Sequence, residues 1–286
     1  MMEEQNPRHG DAEERSTRRE EENTESLHVF SAPSAPPRLR DEDPSPEAPP
    51  EPQTAERYPF WDYMDVLVFA GLAIPSMLLA ELVVKGFLMA FHLHPAERVM
   101  ELMPAQFLGY LLLFGGLLGI FRLKYDRPFW SSLAWTRIPL PFSLVALSGV
   151  VTAFAVGIAS NLIHTPETAN PMTELMEGRA ALIVLAVFGV TMGPLFEELG
   201  FRGFLQPLLV RSVGAVGGIL LASIPFGLLH YQEYGNSWRH ALVISMAGAM
   251  FGVMRHLTGS TRAAVLMHAA YNSFFFVVLF TRKGQP

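Results

Sequence analysis

No cysteine occurs anywhere in the chain. That absence excludes a disulfide framework, a thiol nucleophile and a thiolate metal site. Several catalytic signatures are missing as well. There is no H-E-x-x-H pair for a zincin, no G-x-S-x-G elbow, no Walker A phosphate loop and no G-x-G-x-x-G turn. Basic residues are scattered and form no stripe, so no nucleic-acid partner is expected. Large apolar residues are scarce before position 58. The first 25 residues are charged throughout and lack the apolar h-region of a secretory signal.

What residues 1–58 do hold is acid and proline. They carry 15 Asp/Glu against 7 Lys/Arg, a formal −8, together with nine prolines. Such a segment cannot bury enough apolar surface to offset the entropy of ordering, so a disordered, solvated tail is expected. The other 228 residues hold 12 acids and 14 bases, a formal +2. The net charge of −6 therefore belongs to the tail and not to the apolar body.

From Tyr63 onward, apolar runs follow one another with little soluble sequence between them. About 20 apolar residues make a helix that crosses the hydrocarbon core. Seven runs qualify as spans, near 64–91, 103–121, 142–163, 180–208, 214–231, 239–256 and 262–281. The expected fold is an all-α, multi-pass transmembrane bundle of about seven or eight spans over residues 59–286, because backbone polar groups in lipid must be satisfied within each helix. The first and fourth runs are long for one crossing and are expected to tilt or to break at Pro75 or Pro194. Arg122, Lys124, Arg127, Arg137, Arg211, Arg255 and Arg262 fall in loops on one side. This bias places the N-terminus in the cytoplasm of a plasma (inner) membrane, although Arg282 and Lys283 lie at the other end. The bilayer itself is thus an expected partner. Gly248-x-x-x-Gly252 reads as a helix-packing device.

Ionisable groups at membrane depth are expensive, so those present mark a site. Glu198 and Arg202 are four apart and share a helix face, with the acid toward the N-terminus. Glu197 points about 100° away. One glutamate can thus be neutralised by Arg202 while the other faces a cavity. A plain structural ion pair is the bland alternative. His230 stands near the end of the fifth run, four residues after Phe226. His268 and Asn272 stack on one face of the seventh. Each alone reads as a packed or hydrogen-bonded side chain. On three separate apolar helices, however, these groups can converge only inside the bundle. A carboxylate there can take a proton from water and return it to a leaving amine. Imidazole and amide N–H groups can stabilise an oxyanion. One Glu and two His, namely Glu197, His230 and His268, can alternatively hold a divalent metal such as zinc. Glu81 and Lys85, four apart in the first run, are expected to neutralise each other.

Three motifs in order carry a family resemblance. Glu197-Glu198-Leu199-Gly200-Phe201-Arg202 fits EExxxR, Phe226 to His230 fits FxxxH, and His268 to Asn272 fits HxxxN. Over about residues 140–281 the chain resembles the CPBP family of intramembrane endopeptidases. That family includes the type II CAAX prenyl proteases, bacteriocin-processing and immunity proteins, and abortive-infection proteins. The resemblance implies a membrane endopeptidase that cuts near the C-terminus of a lipidated or hydrophobic peptide or protein. It implies Glu197 as general base, His230 holding the attacking water, His268 and Asn272 as the oxyanion hole, and Glu198 with Arg202 as a brace. Both a metalloprotease and a metal-free mechanism are described for the family. Asn272, a poor zinc ligand and a good amide donor, favours the metal-free version. The alternatives are a non-catalytic membrane protein that binds a peptide, as an immunity protein would, and a proton-coupled transporter using Glu197 and Glu198. No internal inverted repeat supports the transporter. The family's prenyl proteases tend to have eight spans, against seven counted here, and the acidic tail is no part of its pattern.

Overall fold

The computed structural model describes residues 57–166, 174–175 and 178–283. The acidic segment up to residue 56, together with Glu167 and Glu177, lies outside them, as do the side chains of Arg282 and Lys283. Every regular element among the described residues is helical. In chain order these are α1 (Tyr63–Ala90), α2 (Val99–Gly119), α3 (Phe129–Ser132), α4 (Phe142–Leu162), α5 (Arg179–Val190), α6 (Met192–Glu198), α7 (Gln206–Leu229), α8 (Trp238–Thr258) and α9 (Thr261–Lys283). A π-helical turn, Ile120–Lys124, continues α2, and a second, Leu199–Leu205, joins α6 to α7.

Six helical stretches among the described residues are long and apolar enough to cross a membrane. One of them, Arg179–Leu229, is 51 residues long. A straight helix of that length would reach roughly 75 Å, against a hydrocarbon core of about 30 Å. It does not run straight. At Gly214 the backbone takes φ 79° and ψ 172°, a conformation that glycine adopts at no steric cost. The chain folds back there, so that Gly218 packs directly on the backbone of Val210. The stretch therefore contains both expected runs, 180–208 and 214–231, and the turn falls where the second was expected to begin.

The expected break in the fourth run is present but displaced. Pro194 lacks an N–H, and its ring clashes with the carbonyl four residues back, which is that of Val190. The helix accordingly stops at Val190, and Thr191 (φ −115°, ψ −75°) separates α5 from α6. Pro75 does not have this effect: α1 continues through it to Ala90.

α1 starts at an Asp62 cap, whose carboxylate accepts from the backbone of Met64 and Asp65. Asp65 in turn accepts from Lys124 (2.7 Å) and the Tyr125 hydroxyl (2.6 Å), which ties the start of α1 to the end of α2. Side chains along α1, among them Leu67, Leu78, Leu82 and Met89, are exposed. A face of that kind suits lipid and not water. Elsewhere, small residues set the distances between helices. Gly227 of α7 lies against the Ala241 carbonyl and Ser245 of α8, and Gly149 of α4 against the Met267 carbonyl of α9. Close backbone approach of this kind holds helices together where lipid supplies no hydrophobic drive. Among the described residues, three apolar clusters fill the interior. One centres on Trp61, Phe121 and Phe204, a second on Phe226, Phe251 and Met267, and the smallest is built on Val99, Met103, Ala181 and Leu185.

Candidate active site

Glu197 and Glu198 end α6, and Arg202 lies in the π-helical turn that follows. π-turns inside helices are rare and frequently mark functional sites. Here the turn presents Arg202 to three partners at once. Its Nη1 donates to Glu198 Oε1 at 2.9 Å. Its Nη2 donates to the Gly248 carbonyl at 2.6 Å. Its guanidinium stands over the Phe226 ring at 4.3 Å, with Phe251 at 5.5 Å and Phe201 at 5.7 Å. A cation held against aromatic faces in a dry interior gains from the ring quadrupoles. One turn on, Gln206 Nε2 donates to the Gly252 carbonyl at 2.9 Å. The Gly248-x-x-x-Gly252 pair is thus more than a packing device. A Cβ at Gly248 would meet Phe226 at 2.8 Å and Arg202 Nη2 at 2.9 Å, and one at Gly252 would meet Gln206 Oε1 at 2.8 Å.

Glu198 and Arg202 are fully buried. The same Glu198 Oε1 also accepts from His268 Nδ1 at 2.9 Å. A carboxylate oxygen can only accept, so Nδ1 carries the proton and Nε2 faces the other way. Nε2 lies 3.9 Å from Glu197 Oε2. That is too long for a direct hydrogen bond and is a separation that one water, sitting beside the line between the two atoms, can bridge. The His268 ring is fixed from the side by Phe251, stacked at 4.4 Å. Asn272, one turn further along α9, donates through Nδ2 to the Gly189 carbonyl near the end of α5 (2.6 Å). His230 caps α7. Its Nδ1 donates to the Phe226 carbonyl at 2.9 Å, which leaves Nε2 as an acceptor in the neutral ring. Phe226 therefore serves the arginine with its ring and the histidine with its carbonyl.

Glu197, His230, His268 and Asn272 line one cavity of about 1050 Å³, and Glu198 and Arg202 do not. The helices thus bring all six predicted site residues into one region, four on the cavity wall and two sealed beneath it. Much of the remaining wall is apolar, including Met103, Leu185, Phe188 and Phe274. Glu81 also reaches this cavity, while pairing with Lys85 as expected.

Sequence reasoning passed over Glu233 and Tyr234, which lie in the turn after α7 and line the same cavity. Burial raises the Glu233 carboxyl above its usual range. The neighbouring His230 opposes this, and Glu197 adds to it. Burial, with Glu233 and Glu197 nearby, pushes the Tyr234 hydroxyl up to about 12. The H-x-x-E spacing of His230 and Glu233 was a visible signal for this neighbourhood.

Among the described residues, no three His, Cys, Asp or Glu side chains are arranged to hold a metal ion. Glu197, His230 and His268 thus do not form a ready ligand set.

Residues 179–274 match the family model described as Rce1-like, type II CAAX prenyl endopeptidase. All three motifs fall within that range, and the match agrees with the resemblance they carry. No curated protein and no solved structure matches the chain significantly.

Proposed function

Because residues 179–274 carry an Rce1-like domain of the type II CAAX prenyl endopeptidase family, we propose that the chain is an intramembrane endopeptidase that uses a glutamate-activated water. It cuts near the C-terminus of a lipidated or hydrophobic substrate. The observation that carries this reading is the division of the glutamate pair. Glu197 opens onto the cavity beside His230 and His268, while Glu198 is sealed against Arg202.

In this scheme a water sits between Glu197 and the imidazoles. Glu197 takes one of its protons, and the hydroxide adds to the scissile carbonyl carbon. His230, its Nδ1 committed to the Phe226 carbonyl, holds that water through Nε2. The carbonyl oxygen becomes an oxyanion. Asn272 supplies its second amide hydrogen to it, and His268 supplies Nε2–H when the ring carries both protons. The C–N bond then breaks, and the proton on Glu197 passes to the leaving amine. The products are a shortened chain with a new carboxylate and a released C-terminal peptide. Glu198 and Arg202 touch none of these atoms and are positioning residues. They hold His268 and the α6–α7 turn in register. The apolar remainder of the cavity wall suits a lipid chain or hydrophobic residues beside the scissile bond. On this reading the protein sits in the plasma (inner) membrane with its N-terminus cytoplasmic, the orientation that the bias of basic loop residues favours.

The test is incubation of the detergent-purified full chain with lipidated and unlipidated C-terminal peptides, followed by mass spectrometry. Cleavage of at least one lipidated peptide is expected, with the rate unchanged after exhaustive chelation. Tight binding of a peptide with no cleavage would move the reading to a peptide-binding protein. Loss of the rate on chelation, restored by zinc, would replace the metal-free scheme.

A further inference from the structure

A second, smaller pocket of about 270 Å³ is lined in part by Arg202 and shares no residue with the catalytic cavity. Among the described residues that line it, four are basic (Arg202, Arg211, Arg255 and His256) and none is acidic. Arg255 is 8% exposed. Its hydrogen bonds among the described residues go to neutral groups, from Nε to Thr261 Oγ1 at 3.1 Å and from Nη2 to the Tyr58 hydroxyl at 3.3 Å. Burial holds the Tyr58 phenol above its usual range, so it stays neutral and is no counter-ion. Arg211 donates to the Pro59 carbonyl, again a neutral group. No carboxylate among the described residues pairs with either arginine. Two further buried groups border this pocket with no partner among the described residues: Arg202 Nε, a donor, and Gln206 Oε1, an acceptor. Buried charge without a counter-ion is costly, and native interiors normally supply the ion.

The pocket stands at the ends of the spanning helices. Tyr58 precedes α1, Arg211 lies three residues before the Gly214 turn, and Arg255 is in the last turn of α8. The α8–α9 corner at this end is anchored by Ser260 and Thr261, which donate to the carbonyls of Thr136 and Leu133. The ends of membrane-spanning helices are where lipid headgroups meet protein. Guanidinium groups match phosphate geometry better than any other side chain does.

We propose that the pocket formed by Tyr58, Arg202, Gln206, Arg211, Arg255 and His256 binds the phosphate of an anionic phospholipid headgroup. Arg211 and Arg255 neutralise the phosphate, and Gln206 Oε1 accepts from a headgroup hydroxyl. The site is independent of the catalytic scheme, although Arg202, which lines it, also pairs with Glu198 beneath the catalytic cavity.

The experiment uses the full chain in neutral detergent. It measures retained lipid by native mass spectrometry, and thermal unfolding on addition of phosphatidylglycerol or phosphatidylcholine. Phosphatidylglycerol should be retained and should raise the unfolding temperature, and phosphatidylcholine should do neither. Arg211→Gln should weaken phosphatidylglycerol binding about tenfold, the factor expected for one charge-assisted hydrogen bond. Arg255→Gln should weaken it further where the variant folds, but Arg211 is half-buried, so its variant carries the test. Equal gain from the two lipids, or an Arg211→Gln variant that binds as wild type does, overturns the proposal. Stabilisation by inorganic phosphate at constant ionic strength, with none from lipid, assigns the same pocket to the free anion. Lipid binding that emerges only once Asp41, Glu42 and Asp43 are replaced by Asn, Gln and Asn assigns it to the chain's own acidic segment, and overturns the lipid assignment.

Discussion

Glu197 and Glu198 are neighbours in sequence and opposites in surroundings. Glu198 has no exposed surface, and a single oxygen takes hydrogen bonds from both Arg202 and His268. Glu197 is 23% exposed along its side chain and borders the cavity. The difference teaches that an EExxxR motif contains two separate devices. One acid is used to hold shape, because a buried ion pair with one member removed leaves an uncompensated charge. The other remains open to the cavity. The π-turn allows both, since it carries Arg202 back over α6 and onto the Gly248 carbonyl while Glu197 stays on the cavity side.

The comparison can be broken at its sealed side first. Arg202→Met leaves Glu198 buried without its cation. It is expected to cost about 3–5 kcal/mol, read as poor folding yield and a large drop in thermal unfolding temperature in detergent. Normal stability would mean that the buried pair holds nothing together. On the open side, Asn272→Ala removes an oxyanion donor and should lower kcat by about 10²–10³ with KM little changed. It also loses the bond to Gly189, so the thermal midpoint must be followed in parallel. Gly248→Ala pushes a methyl against Phe226 and Arg202. It is expected to destabilise by about 1–3 kcal/mol, as overpacking does. Gly214→Ala forces a side chain into a positive-φ conformation that is essentially reserved for glycine, and should cost about 1–3 kcal/mol from backbone strain alone, since the turn is otherwise open. The smallest effect concerns Glu233. Its folded-state carboxyl is raised by burial, so its contribution to stability is present at pH below the ordinary carboxylate range. It is lost as pH rises through the raised value. Wild type should therefore lose unfolding temperature relative to Glu233→Gln as pH climbs through that window. Parallel curves for the two proteins would contradict the direction of the shift.

The sequence exposed the spans because apolar runs of membrane length have few other readings. It singled out the six candidate site residues because each is a polar interruption in such a run. The break near Pro194 was legible, and its place at Thr191 follows from the ring's clash four residues back. The π-turn was not legible, since nothing in Leu199–Leu205 distinguishes it from an α-turn. Arg202's bond to Gly248 was hidden for a different reason: it joins helices 46 residues apart, and a GxxxG pair signals close packing without naming the neighbour. Glu233 was passed over because a charge in a turn is ordinary. Only the fold turns that loop inward toward the cavity.

The division of labour between the two glutamates is tested most directly by measuring cleavage rate and thermal unfolding side by side for Glu197→Gln and Glu198→Gln. The expected result is a crossed pattern. Glu197→Gln loses about 10²-fold or more in rate and keeps the wild-type unfolding temperature, while Glu198→Gln unfolds at a clearly lower temperature. A Glu197→Gln protein that cleaves at the wild-type rate would contradict the account.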